Sequence, residues 1–147
     1  MKSTYLNNNT DKIIMNIELS NTINEVVRFT NLHNIEAVFQ INSVKDLLEG
    51  GDNQDERWRK FEKKAGVYLF IPTEEQAIHY IGMSEKDVGT RVFQWLVKEN
   101  KVSNEIKDKK KHTVLTISLE NQPYMSPALE SYLITKLEPK LNIMKKK

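Results

Sequence analysis

The sequence predicts an α+β protein: a three-stranded antiparallel sheet flanked by helices over residues 65–147, in the order β-β-α-β-α, behind a mainly helical N-terminal extension over residues 1–64. Three observations carry that expectation. Two apolar runs, Gly66-Val67-Tyr68-Leu69-Phe70-Ile71 and Ala77-Ile78-His79-Tyr80-Ile81-Gly82, flank the polar link Pro72-Thr73-Glu74-Glu75-Gln76, which is the pattern of a β-hairpin. A helical stripe of Val88, Val92, Trp95, Leu96 and Val97 follows between Asp87 and Asn100. A β-branched run from His112 to Glu120 and a helix start at Ser126-Pro127 close the order.

The first ten or so residues of the extension are rich in Asn and are expected to be disordered. Ile23, Val26, Val27 and Phe29 predict a short helix from Asn21 to about Leu32, capped by Ser20 or Asn21. Glu36 to Ile41 reads as a short strand. Ser43 is a good N-cap for a helix through Val44, Leu47 and Leu48, ended at Gly50-Gly51. The Gly50-Gly51-Asp52-Asn53 stretch is the natural boundary, and Asp55 to Lys64, with Trp58 and Phe61, reads as a helix leading into the hairpin. Asn121 to Tyr124 reads as a turn. The final helix has Ser126 as cap, Pro127 at the first position and Pro139 as its stop.

Composition narrows the class. At 147 residues the chain is long enough for one domain with a real core, or for a small domain with a substantial extension, and hydrophobic content of 39% with charged content of 29% is ordinary for a soluble globular protein. No apolar run approaches the roughly 20 residues that span a bilayer, and MKSTYLNNNT has no signal-peptide stretch, so a cytoplasmic protein with no membrane partner is expected. The absence of cysteine excludes disulfides and thiolate metal sites, and His33 and His112 lack metal-site spacing. Net charge is +2, but its distribution is uneven: residues 1–60 hold seven Lys/Arg against nine Asp/Glu, and residues 61–147 hold fifteen against eleven. The excess gathers in Lys107-Asp108-Lys109-Lys110-Lys111-His112 and the tail Lys145-Lys146-Lys147. Such runs attract phosphate backbones, although a solvated lysine-rich loop is the plainer reading.

Tyr68 and Tyr80 sit near corresponding positions on neighbouring strands, each close to a glycine. Arg91 falls early in the next helix, where a cation opposes the helix dipole, and Glu130 interrupts an apolar stretch of the last helix. Asn142 follows Pro139-Lys140-Leu141. Singly, each has an ordinary structural explanation. Together, Gly66-Val67-Tyr68, eleven intervening residues, Tyr80-Ile81-Gly82, then Arg91, then Glu130 and the Pro139-Lys140-Leu141-Asn142 ending resemble the signature of the GIY-YIG nuclease superfamily over residues 65–143.

The resemblance implies a GIY-YIG-like fold and an endonuclease that hydrolyses DNA phosphodiesters with one Mg²⁺ or Mn²⁺. It implies that Glu130 is the metal ligand, that Arg91 clamps the phosphate through its planar fork, and that Asn142 orients Glu130 or the local backbone. It also implies that Tyr68 or Tyr80, with Tyr68 preferred, takes the proton from the attacking water. A phenol ionises near pH 10, so that role needs nearby positive charge. Lys86, in place of the basic residue many members carry where this chain has Met83, and Lys109, Lys110 and Lys111 are candidate nucleic-acid contacts, with Trp58, Arg57 and Arg59 the candidates from the extension. His79 reads as structural. The extension reads as a packing or dimerisation element, and a restriction-type or mobile-element enzyme cutting both strands would pair as a homodimer. The alternative is a non-catalytic nucleic-acid-binding module on the same fold.

Overall fold

The computed structural model describes residues 17–49, 58–61, 63–98 and 108–145. The expectations for the first ten residues, the Gly50–Asn53 boundary, Arg57, Lys107, residues 55–57 and 62 of the helix before the hairpin, and the end of the lysine tail lie outside them. Helix α1 spans Ile17–His33. Its buried residues Leu19, Thr22, Val26, Phe29 and Thr30 recur at helical spacing. It starts four residues before the expected Asn21, so Ser20 and Asn21 lie within it rather than capping it. Asn34 closes it in the left-handed conformation at φ 54, which lets Ile35 N–H reach back to Thr30 O at 2.9 Å.

Strand β1 is Val38–Ser43. Ser43 Oγ accepts from Asp46 N at 2.9 Å and caps α2, Val44–Leu48, as its sequence position implies. The helix expected over 55–64 is shorter than anticipated within its described part: Trp58 and Arg59 are helical, a turn follows at Lys60-Phe61, and Lys63 adopts φ 56. Trp58 Nε1–H donates to Leu47 O at 3.2 Å, so the indole is an internal strut.

Strands β2 (Gly66–Pro72), β3 (Tyr80–Ser84) and β4 (His112–Ser118) are the three the sequence anticipates, with β3 beginning three residues late. The sheet nevertheless has four strands, in the order β1-β4-β2-β3 and antiparallel throughout, because β1 from the extension pairs along β4 from Val38↔Ser118 to Ser43↔Thr113. The expected three-stranded sheet is thereby corrected. Strand β2 is central and buried at every position, as its nearly unbroken apolar run requires.

Helix α3, Val88–Phe93, passes directly into a π-helical turn, Gln94–Lys98. After a 3₁₀ turn at Pro123–Met125, α4 runs over Ser126–Leu137 and ends at Glu138, which has φ 48. The 3₁₀ turn leads straight into the helix, so Ser126 is already helical and does not cap it. A short α5, Lys140–Lys145, follows Pro139.

Strand alternation divides the interior into two layers. Val67, Leu69, Ile71, Ile81, Leu115, Ile117, Phe39 and Ile41 pack with Leu19, Val26 and Phe29 of α1 and Leu129 and Leu133 of α4. On the opposite face Tyr68, Phe70, Tyr80 and Val114 pack with Val44 and Leu47 of α2, Phe61, Val88 and Val92 of α3, Trp95, Leu96 and Leu141. The candidate tyrosines therefore belong to the second layer.

Candidate active site

The hairpin register sets the tyrosines diagonally across the β2–β3 pair: Tyr68 faces Gly82 and Phe70 faces Tyr80. Their ring centroids are 6.2 Å apart. A Cβ at Gly82 would overlap the end of the Tyr68 ring, so the glycine is the seat on which that ring lies. A Cβ at Gly66 would overlap the Ile117 carbonyl, so that glycine permits close approach of β2 to β4. The glycine beside each tyrosine thus has a distinct steric task.

Trp95 completes the aromatic wall. Its ring lies 4.1 Å from Tyr80 and 5.5 Å from Phe70, and its indole N–H lies on the side of the Tyr68 hydroxyl, where it favours the ionised form. Sequence reasoning placed Trp95 only in the apolar stripe of a helix. The available signal was its spacing of four residues from Arg91, which on a helix sets the two side chains near one another.

Arg91 is exposed on α3. The helix is fixed by its first N–H groups: Val88 donates to Lys64 O at 2.8 Å, Gly89 to Phe61 O at 3.2 Å, and Thr90 to the Asp87 carboxylate at 3.0 Å. Ser84 Oγ in turn accepts from Lys86 N and Asp87 N. Glu130 is half-buried on α4, which packs beside β3.

Burial pushes the Tyr68 hydroxyl far above the ordinary phenol range, and the neighbouring Tyr80 adds to the effect. The Arg91 guanidinium opposes it, Glu130 reinforces it, and the Trp95 indole N–H opposes it. These influences place Tyr80, Arg91 and Glu130 within electrostatic reach of one phenol. The Arg91 charge from α3 and the Glu130 charge from α4 thus bear on the same β2 phenol that Tyr80 of β3 lies beside.

Asn142 does something different. Its Oδ1 accepts from Ile81 N and its Nδ2 donates to Ile81 O, both at 2.8 Å. It pairs with the open side of β3 as a neighbouring strand would, and so orients the backbone next to Tyr80. Lys86 is exposed beside the start of α3. Lys109–Lys111 form a 3₁₀ turn in which Lys110 pairs with Glu49 at 2.8 Å and Lys111 approaches Glu74 at 3.9 Å. That basic run is partly charge-matched within the molecule.

A single carboxylate with waters completing its sphere suits Mg²⁺. Glu130 fits that description, and one helical turn before it Ser126 Oγ is buried with no hydrogen-bond partner. Among the described residues there is no cluster of three or more His, Asp or Glu side chains of the kind that cages a transition metal. None of the described helices is long and apolar enough to cross a membrane. No family model matches the chain, and no curated protein is significantly similar to it.

Proposed function

We propose that this chain is a divalent-metal-dependent endonuclease that hydrolyses DNA phosphodiester bonds, on a GIY-YIG-like core. One observation carries the reading: Tyr80, Arg91 and Glu130, drawn like Tyr68 from a span of 63 residues, all bear electrostatically on the Tyr68 hydroxyl. The motif resemblance supports it independently.

In this reading Arg91, exposed on a helix fixed at its start, receives the scissile phosphate by a bidentate contact. Tyr68, held neutral by burial, donates its O–H to a phosphate oxygen or to the attacking water. Tyr80, which must first give up its own proton to solvent in the field of the Arg91 guanidinium, would take the proton of that water, which reverses the preference drawn from sequence for Tyr68. Glu130 holds Mg²⁺ or Mn²⁺, which when bound supplies charge neutralisation at the phosphate. Asn142 and Trp95 position Tyr80 and Tyr68.

The test is plasmid cleavage by the wild type and Glu130→Ala, each with Mg²⁺ and with chelator. Cleavage that needs both Mg²⁺ and Glu130 supports the proposal, and discrete fragments assign sequence specificity. DNA binding without cleavage by the wild type overturns it in favour of the non-catalytic binding module, a reading favoured by the suppressed ionisation of Tyr68.

A further inference from the structure

At the Pro72 end of the sheet lies a cleft of about 470 Å³ whose walls include Glu74, Glu75, His79, Asp108, Lys111 and His112. The two histidines belong to one hydrogen-bonded chain. Glu75 Oε1 meets His79 Nε2 at 2.6 Å, His79 Nδ1 meets His112 Nε2 at 2.7 Å, and His112 Nδ1 meets Asp108 O at 3.1 Å.

The chain can be counted in protons. A carboxylate and a backbone carbonyl only accept, so His79 Nε2 and His112 Nδ1 must both carry hydrogen. The central contact joins two ring nitrogens and needs a proton of its own. Three protons on two rings is one more than two neutral imidazoles hold. A shared metal ion fits less well: nitrogens at about 2.0–2.1 Å from a tetrahedral metal lie about 3.3 Å apart, wider than the 2.7 Å seen here. The short separation suits a charge-assisted N–H···N bond.

We propose that Glu75, His79 and His112 form a proton-gated clamp: one excess proton locks the β2–β3 link to the turn before β4, and its loss releases them. The bonds around the rings show what is locked. Thr73 of the link donates both N–H, at 2.9 Å, and Oγ1–H, at 3.0 Å, to Lys111 O of the turn. His79 N–H donates to Phe70 O and His79 O accepts from Leu141 N, each at 2.9 Å, so the clamp also fixes the residue before Tyr80. The charged groups that face the chain are Glu74 and Glu75 from the link, Lys111 and Asp108 from the turn, and Lys140, whose Nζ is 3.9 Å from Glu75 Oε2; Lys109 meets His112 through its backbone.

The clamp can be lost in two directions. In alkali the excess proton leaves, and three contacts are left with two protons. In acid a second excess proton removes the His112 lone pair that accepts the central bond. Burial above all, then the neighbouring His79, holds His112 below its ordinary value of 6.5, against the opposing Asp108 and Lys109 backbone and Glu75. Stability from the neutral His112 ring is therefore present above about pH 6.5 and lost as pH falls through its lowered value.

The test is imidazole ¹⁵N NMR on the full chain across pH, with Glu75→Gln and His112→Gln beside the wild type. At neutral pH the wild type should show both His79 nitrogens protonated and His112 as the Nδ1–H tautomer. Raising the pH should remove one proton from the pair, with exchange at Thr73 N–H about tenfold faster than its intrinsic rise, the effect of losing one charge-assisted bond. Glu75→Gln, an exposed change, should move that loss to lower pH. Two neutral rings at neutral pH in the wild type, or a loss that Glu75→Gln leaves in place, overturns the proposal. If His112→Gln folds, an unchanged His79 titration overturns it as well. None of these readouts depends on nuclease activity.

Discussion

At Gly82 the side chain that matters is the one that is missing. The Tyr68 ring occupies its place, so Gly82→Ala must displace a buried aromatic or strain β3. We expect a loss of about 1–3 kcal/mol in urea unfolding, together with loss of cleavage, because Tyr68 moves. Tyr68→Phe keeps the ring and removes only the hydroxyl; it should fold normally and lower kcat. Normal cleavage by Tyr68→Phe would remove Tyr68 from the mechanism. The tyrosine, glycine and arginine positions were legible in the sequence because they lie within short local motifs. The depth of Tyr68 was not: burial depends on Trp95 and the second layer, which sequence spacing does not reveal. Ionisation of Tyr68 carries a stability signature too. Its neutral form is favoured in the fold, so that contribution is complete below the ordinary phenol value of about 10 and is lost as pH rises through the higher folded value.

At the scale of elements, α3 shows how little helix is needed to place a candidate functional group. Its α-helical part is six residues long, and its first N–H groups are satisfied by Asp87 and by backbone from the segment before β2. Asp87→Ala should cost about 1 kcal/mol through the lost cap. It should also lower kcat/KM by weakening phosphate capture at Arg91, and a pure stability loss with unchanged kinetics would dissociate the cap from the site. Ser43 was legible as a cap because its hydroxyl bonds locally to Asp46 N. Ser126 was misread because Pro123–Met125 already winds the chain before it, a feature with no strong signature in three residues.

At the scale of the molecule, the extension is structurally continuous with the sheet. Strand β1 covers one side of β4, and Leu19, Val26, Phe29, Phe39 and Ile41 enter the first layer. At about 2 kcal/mol each, those five side chains contribute about 10 kcal/mol, comparable with the whole net stability of a typical domain at about 5–15 kcal/mol. Residues 65–147 expressed alone should therefore show no cooperative unfolding in urea, and a sharp transition would restore them as an independent unit. Strand β1 could be recognised as a strand from residues 36–41, but its partner lies 70 to 80 residues further on, and pairing at that distance has no local signal. The other side of the sheet is closed by the chain's last described segment. Lys140 N–H and Leu141 N–H bond to Ile78 O and His79 O, and the Asn142 amide takes both backbone groups of Ile81. A molecule clipped after Glu138 would leave that row of donors and acceptors bare and ready to template another chain. The segment thus covers the β3 edge, and its loss should increase aggregation through β3, read as light scattering of the clipped chain against the full one.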